Sequence, residues 1–150
     1  DLQCCGDSDD SWEEKRRHVE VREIRTIVDR LWSARSPDGV LVAGDFNAVH
    51  GLRPVEIMRG SRHNAARRLQ VVQALHANGS DRWTWDGRGT PFPSRPIDFV
   101  LHSRELQPLQ ARVFDAETMT EADRTRMGLR RDQFITQSQH RPVVVDFAWR

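Results

Sequence analysis

The feature of this chain that most restricts its fold is an apolar run that ends in a polar corner. Residues 40–43 are Val, Leu, Val and Ala, and Gly44-Asp45-Phe46-Asn47 follows them directly. Four consecutive apolar residues predict a strand that is covered on both faces. A glycine lets the backbone leave such a strand sharply, so the side chains of Asp45 and Asn47 would be held on a rigid support. The corner is therefore suited to catalysis.

Asp45 and Asn47 allow two interpretations. An Asp at a strand end can orient an attacking water or accept its proton. An Asn two residues later lies on the same side of an extended backbone, where its amide can donate to a phosphoryl oxygen. The alternative is an Asx turn that closes the junction between strand and loop, because both residue types favour such local hydrogen bonds.

Two later segments also place polar residues beside apolar runs. Asp98 lies inside Ile97–Leu101, and His140 precedes Val143-Val144-Val145. A carboxylate in an apolar strand is costly to bury unless it is paired, and His140 is the candidate partner, since a carboxylate fixes the tautomer of an imidazole and orients its other nitrogen. The alternatives are an Asp on the exposed side of an edge strand and a His in a polar turn. Together, the three segments predict a phosphoryl-group hydrolase.

Length and charge narrow the class of protein. The 150 residues predict a single domain over residues 1–150. With 23 Lys and Arg against 22 Asp and Glu, the net charge is only +1, which argues against binding nucleic acid by bulk charge. A local patch of Arg62, Arg67 and Arg68 would restore that possibility. No apolar run approaches the ~18 residues that span a bilayer, and no charged-then-apolar leader opens the chain, so we expect a soluble protein, cytoplasmic or secreted.

The predicted secondary structure alternates at first and then consists mainly of strands. Helices are predicted where apolar residues recur with helical spacing, and strands are predicted in short apolar runs. The predicted helices are residues 12–34, with Ile24, Ile27, Val28 and Leu31 on one face, and Ser61–Ala77. The predicted strands are Leu2–Cys5, residues 40–43, Ile97–Leu101, Arg112–Asp115 and Pro142–Trp149, and residues 117–132 are predicted as a short helix with a loop. This order indicates an α/β layered protein.

Two further groups of residues carry their own predictions. The adjacent Cys4 and Cys5 are the only cysteines, which excludes a disulfide framework, and we expect them to pack as small buried apolar residues. The loop that contains Phe92 follows Trp83 and Trp85. These aromatic residues could stack a base or meet a lipid surface, but packing within the core and loop is the favoured interpretation.

The three polar segments resemble a known family. Gly44-Asp45-Phe46-Asn47, Pro96-Ile97-Asp98-Phe99-Val100-Leu101 and Ser138-Gln139-His140-Arg141-Pro142-Val143 match in type, order and spacing the last three signature segments of the endonuclease/exonuclease/phosphatase superfamily, which resembles deoxyribonuclease I. The resemblance implies a layered α/β sandwich of the deoxyribonuclease I-like type, of which this chain is the C-terminal half. The early Asn and the main metal-binding Glu of that family have no counterpart before Asp1, so we expect a processed or excised chain that lacks the N-terminal half.

The resemblance also implies roles for individual residues. Asp45 positions or deprotonates the attacking water, and Asn47 helps to hold the phosphate. Asp98 orients His140, which stabilises charge on the phosphoryl oxygens. A divalent ion, Mg²⁺ or alternatively Mn²⁺, is implied, with Asp45 and Gln139 as its ligands. The family pattern has Asp at the position of Gln139, and a neutral amide lacks the charge that favours Mg²⁺, so we expect weakened metal binding.

The function implied by the resemblance is a metal-dependent phosphoesterase that, in its complete form, hydrolyses a phosphodiester or a phosphomonoester. Its substrate would be a nucleic acid, a phospholipid or a small phosphate ester. One alternative is a catalytically inactive fragment or remnant that acts as a binding or structural module, which Gln139 and the missing Glu favour. A phosphate-binding regulatory domain is a further alternative. Nothing in the pattern indicates an oligomeric state.

Overall fold

The computed structural model of the chain describes residues 1–6, 8–134 and 137–150. In chain order, its elements are α1 (Trp12–Arg35), β1 (Leu41–Asp45), α2 (Arg53–Arg59), a 3₁₀ turn (Ala65–Arg67), β2 (Gln70–Val71), β3 (Asp98–His102), β4 (Leu106–Val113), α3 (Glu121–Met127) and β5 (Val143–Trp149). Among these described residues, no helix combines the length and the hydropathy that crossing a membrane requires.

The chain divides into two compact units. The first comprises Asp1–Val72, Ile97–Gln107 and Phe147–Arg150, and the second comprises Gln73–Pro96 and Pro108–Asp146. The predicted single domain over residues 1–150 stays a prediction.

The first unit is organised around a three-stranded antiparallel sheet in the order β1-β3-β2. The register of β1 against β3 pairs Val42 with Leu101 and Asp45 with Asp98. Leu101 is fully buried in a core shared with α1, α2 and the chain start, whose buried members are Leu2, Val21, Phe46, Ala48, Val55, Met58, Leu69 and Leu101. The sheet therefore places two acidic residues opposite each other at one of its ends.

Helix α1 confirms the predicted helix at 12–34, but its buried face differs from the prediction. Its N-cap is Ser11, whose side-chain oxygen accepts a hydrogen bond from the Glu14 backbone N–H at 3.2 Å. The buried positions are Glu14, Arg17, Val21 and Arg25. The predicted apolar face was wrong, because its members Ile24, Ile27 and Leu31 are exposed.

The buried face of α1 carries two arginines whose hydrogen bonds are satisfied by other parts of the first unit. Arg25 donates hydrogen bonds to the backbone oxygens of Met58 at 3.0 Å and of Arg67 at 2.9 Å, and it also pairs with Asp29. Arg17 donates to the backbone oxygens of Gln3 and Cys5 and pairs with Glu14. A buried guanidinium is tolerated when its donors are satisfied in this way. Helix α1 is thus held by hydrogen bonds to segments distant in the chain as well as by apolar packing.

The predicted helix at Ser61–Ala77 is wrong. That stretch contains only the 3₁₀ turn and strand β2, while the helix α2 begins earlier, at Arg53. Val71 pairs with Leu101, and the Val72 N–H donates to the Val100 oxygen at 2.9 Å. Apolar residues that suggest a helix face are instead used for pairing with β3, which shows tertiary contacts overriding local spacing.

Several other predictions are decided by the described residues. Strand β1 exists, but the expected cover on both of its faces is wrong, because Leu41 is 53% exposed. Leu2–Cys5 does not form the predicted strand, although the Leu2 N–H donates to the Asp45 oxygen at 2.9 Å.

Cys4 and Cys5 are free thiols and are exposed, so their predicted burial is wrong. The hydrogen bond with Cys4 raises the pKa of the Cys5 thiol.

The second unit contains α3 and most of the β4–β5 sheet. Helix α3 confirms the short helix predicted within 117–132, and β5 confirms the strand predicted at Pro142–Trp149. Strand β4 overlaps the predicted Arg112–Asp115 but begins at Leu106.

Candidate functional site

Asp45 and Asp98 form an acidic pair at the end of the first unit's sheet. Asp45 is the last residue of β1 and Asp98 is the first residue of β3, and the antiparallel register places them opposite each other. Carboxylate oxygens of the two residues lie within 4.8 Å of one another, and both residues are half-buried. The Phe46 N–H continues the pairing with the Ile97 oxygen at 2.8 Å. The pair is therefore supported by strand hydrogen bonds on a rigid backbone.

Asn47 leaves the strand in a left-handed conformation, with φ at 45°. Its backbone N–H donates to Asp45 Oδ1 at 2.7 Å, which is an Asx turn. The expectation that Asp45 and Asn47 share one side of an extended backbone is therefore wrong. The turn uses one hydrogen-bond position on a carboxylate that has two oxygens, so it is compatible with a chemical role for Asp45.

The chain start holds Asn47 in place. Asn47 is only 7% exposed, and its Nδ2 donates to the Leu2 backbone oxygen at 2.9 Å. The Leu2 N–H donates to the Asp45 oxygen, so Leu2 contacts the polar corner through both of its backbone groups. An amide nitrogen carries two hydrogens, and the second can serve a ligand. Sequence reasoning missed this support, because backbone groups leave no signal in side-chain pattern.

His140 and Gln139 belong to the second unit. His140 is half-buried, forms an isolated antiparallel bridge with Trp85, and donates its backbone N–H to Ser138 Oγ at 3.0 Å. Gln139 is exposed, and its backbone oxygen accepts a hydrogen bond from the Asp86 N–H at 2.8 Å. The predicted contact between Asp98 and His140 stays a prediction.

Arg141 is the centre of a buried charged network that sequence reasoning missed. Its Nη2 donates to Asp86 Oδ2 at 2.6 Å, and its Nε lies 3.4 Å from Asp115 Oδ1. Its guanidinium carbon also lies 5.4 Å from the centre of the Trp83 ring. Hydrogen bonds from Arg88, together with the charge of Arg141, hold the pKa of the Asp86 carboxyl below its ordinary value.

The aromatic and basic residues singled out in the sequence serve mainly local contacts. The Trp83 ring lies 4.2 Å from the His76 ring, consistent with the favoured packing interpretation, whereas Phe92 is 65% exposed. In the predicted basic patch, Arg67 donates to Ser33 Oγ at 2.8 Å, and Arg68 donates to the Gly60 oxygen and pairs with Glu56. These two guanidinium groups therefore contribute to structure within the first unit.

Residues 8–119 match the sequence model of the Endonuclease/Exonuclease/phosphatase family. The chain belongs to this family. The match covers both the Asp45–Asn47 corner and Asp98, and it confirms the resemblance seen in the motifs. Members of the family are hydrolases that act on phosphate esters. A search of curated proteins found no match.

Two solved structures share the fold. One is an endonuclease/exonuclease/phosphatase from Bacteroides vulgatus, with 12% identity and a TM-score of 0.58 over 91% of this chain and 45% of that chain. The other is a mannosyl-6-phosphatase from Bacteroides thetaiotaomicron, with 16% identity and a TM-score of 0.55 over 91% of this chain and 47% of that chain. The chain thus spans about half the length of these family structures. The likeness confirms the α/β fold class.

Proposed function

We propose that this chain carries the catalytic corner of a metal-dependent phosphoesterase. The observation that carries the proposal is the acidic pair, because Asp45 and Asp98 present carboxylate oxygens within 4.8 Å of one another at a supported sheet end. Membership of a family of phosphate-ester hydrolases supports the same conclusion.

Asp45 would position the attacking water and accept its proton. Its Oδ1 is held by the Asn47 N–H, which fixes the plane of the carboxylate. A general base must lie within hydrogen-bond reach of the water and must not rotate away from it. Asn47 would donate its second amide hydrogen to a phosphoryl oxygen while Leu2 holds the first. The Asx turn thus serves both residues.

Asp98 and His140 would form the second part of the site. We infer that the Asp98 carboxylate accepts a hydrogen bond from one imidazole nitrogen of His140 and fixes its tautomer. The other nitrogen would then donate to a phosphoryl oxygen as negative charge develops there. Strand β3 supports Asp98, and the bridge between His140 and Trp85 supports the histidine backbone.

The metal would be held by carboxylate oxygens. Asp45 and Asp98 fit a hard divalent cation, since Mg²⁺ and Mn²⁺ both prefer oxygen ligands. Gln139 could add an amide oxygen, and its lack of charge predicts weaker binding than an Asp at the same position would give. When bound, the ion would neutralise charge on the phosphoryl group.

The substrate would be a phosphodiester or a phosphomonoester. The structural similarity to a mannosyl-6-phosphatase supports including a sugar phosphate among the candidates, next to nucleic acids and phospholipids. The near-neutral net charge gives no preference for a polyanionic substrate.

The test is turnover by the full chain with Mg²⁺ or Mn²⁺. Bis-p-nitrophenyl phosphate, p-nitrophenyl phosphate and mannose 6-phosphate distinguish the substrate classes, and a chelator gives the metal-free rate. Asp98→Asn is compared with Asp146→Asn, because Asp146 is an exposed carboxylate on β5. We expect Asp98→Asn to lose about 10²-fold or more of the turnover and Asp146→Asn to keep it. Equal rates in both variants would contradict the proposal.

A non-catalytic binding module is the second candidate, and the neutral Gln139 favours it. The melting temperature with Mg²⁺, measured beside turnover, distinguishes a binding module from an enzyme. We expect Mg²⁺ to raise the melting temperature of the parent chain but not that of Asp98→Asn, because a ligand stabilises only a state that binds it. Stabilisation by Mg²⁺ without turnover on any of the three substrates would support the binding module.

A further inference from the structure

The side chain of Arg141 bends back onto the backbone that precedes it. Its Nη1 donates to the Ser138 oxygen at 3.1 Å and to the Gln139 oxygen at 3.3 Å. The backbone N–H of Arg141 donates to the Thr84 oxygen at 2.7 Å. His140 lies between Gln139 and Arg141, so hydrogen bonds made by Arg141 fix the backbone on both sides of His140.

A buried acidic pair holds that guanidinium in turn. Arg141 is 2% exposed, and Asp86 and Asp115 are buried beside it. Asp86 contributes at both ends of the network, since its carboxylate accepts from Arg141 Nη2 and its N–H donates to the Gln139 oxygen. The rigid fork of an arginine is suited to joining two carboxylates and two carbonyl oxygens at once.

We propose that Arg141 is a positioning residue for His140, an inference that rests on the proposed role of His140 in phosphoester hydrolysis. The buried fork fixes the backbone of residues 138–141, and that backbone sets where the imidazole stands. Displacement of a reacting group by about 1 Å can cost about 10²-fold in rate. Loss of the fork should therefore reduce kcat with little effect on KM.

Arg141→Lys is the informative variant. Lysine keeps the charge that offsets the two carboxylates, but its single ammonium cannot reach all four acceptors. The matched control is Arg25→Lys, because Arg25 is also buried, also joins backbone oxygens to a carboxylate, and also lies over an indole ring, that of Trp32. The contacts of Arg25 described above are with Met58, Arg67, Asp29 and Trp32, which are not predicted site residues.

Two measurements are made on the full chain for both variants. Steady-state kinetics with Mg²⁺ and bis-p-nitrophenyl phosphate gives kcat and KM separately. Amide hydrogen exchange by NMR follows two N–H groups: that of Arg141, which donates to the Thr84 oxygen, and that of Asp86, which donates to the Gln139 oxygen. The Val72 N–H is the internal reference in the first unit.

We expect Arg141→Lys to lower kcat about tenfold or more, with KM nearly unchanged, and to speed exchange at Arg141 and Asp86 but not at Val72. Arg25→Lys should leave kcat and those two exchange rates at the parent values. A kcat equal to the parent value in Arg141→Lys would overturn the inference, and so would exchange at Arg141 and Asp86 that does not change.

Failure of the proposed function gives a different result. If the parent shows no turnover on any substrate, the catalytic proposal fails, while the exchange rates still decide whether Arg141 holds the His140 backbone. If Arg141→Lys does not fold, Asp115→Asn replaces it, since this change removes only the charge beside Nε. Asp115→Asn should change kcat and local exchange in the same direction and by a smaller factor, and parent values for both would overturn the inference.

Discussion

The two units each contain a pair of aspartates, and the pairs differ in what surrounds them. Asp45 and Asp98 are half-buried and face each other across the end of a sheet. Asp86 and Asp115 are 5% and 2% exposed, and the guanidinium of Arg141 joins them. The same residue type is therefore suited to chemistry or to structure according to its setting. A pair neutralised by a buried arginine stabilises a loop, whereas facing carboxylates at a strand end are suited to a cation and a phosphate.

The largest expected effect is the loss of turnover in Asp45→Asn. The amide oxygen of the new Asn can still accept the hydrogen bond from the Asn47 N–H, so the Asx turn is kept. We expect turnover to fall by about 10²–10⁴-fold, because an amide cannot act as a general base. The free energy of unfolding should change by less than about 1 kcal/mol. Kinetics and urea unfolding on the same sample check both values. A stability loss large enough to account for the lost turnover would contradict a chemical role for Asp45.

The next effect is the destabilisation expected in Asp86→Asn. Removal of this charge leaves the buried Arg141 with one carboxylate, and breaking a buried ion pair costs about 3–5 kcal/mol. Urea unfolding of Asp86→Asn and the parent measures the difference, with Asp146→Asn as the exposed control. A change below about 1 kcal/mol would show that Asp86 and Arg141 contribute no more than a surface pair.

Acidic pH should weaken the same network. The hydrogen bond from Arg88 is the largest cause that lowers the folded-state pKa of Asp86 below its ordinary value of 3.8. The resulting stability is therefore present above about pH 4 and is lost as the pH falls through the lowered pKa. Urea unfolding at pH 6 and at pH 3 should give a smaller difference between the parent and Asp86→Asn at the lower pH. An equal difference at both pH values would contradict this assignment.

The smallest expected effect is that of Arg88→Gln. The Arg88 hydrogen bond is the largest cause of the lowered pKa of Asp86, but the Arg88 side chain is 52% exposed, so water weakens its contribution to stability. We expect a loss of less than about 1 kcal/mol, since exposed ion pairs contribute little. Urea unfolding measures this loss beside that of Asp86→Asn. A loss as large as that of Asp86→Asn would mean that Arg88, and not the buried Arg141, is the main partner of this carboxylate.

The sequence alone predicted the parts of the fold that depend on local signals. Ser11 and the helical spacing after it predicted α1, and the apolar runs predicted β1, β3 and β5. The apolar spacing in Ser61–Ala77 misled, since Val72, a member of the predicted helix face, donates its N–H to the Val100 oxygen of β3. A two-residue strand carries no periodicity, so only its partner strand could have revealed it.

Motifs in the sequence predicted the candidate site residues but not the buried network around Arg141. Polar insertions near apolar runs indicate Asp45, Asn47, Asp98 and His140, and the proposed roles of these residues stay predictions. The Arg141 network joins residues 55 and 26 positions apart, for which no local spacing exists.

The sequence by itself determined the family, the fold class and the residue types at the polar corner, because these are expressed in short ordered motifs. Only the tertiary structure decided which faces are buried, that Asp45 stands opposite Asp98, and that Arg141 joins Asp86 and Asp115. The physical reason is that burial and hydrogen bonding of charged groups depend on acceptors that folding brings from distant parts of the chain.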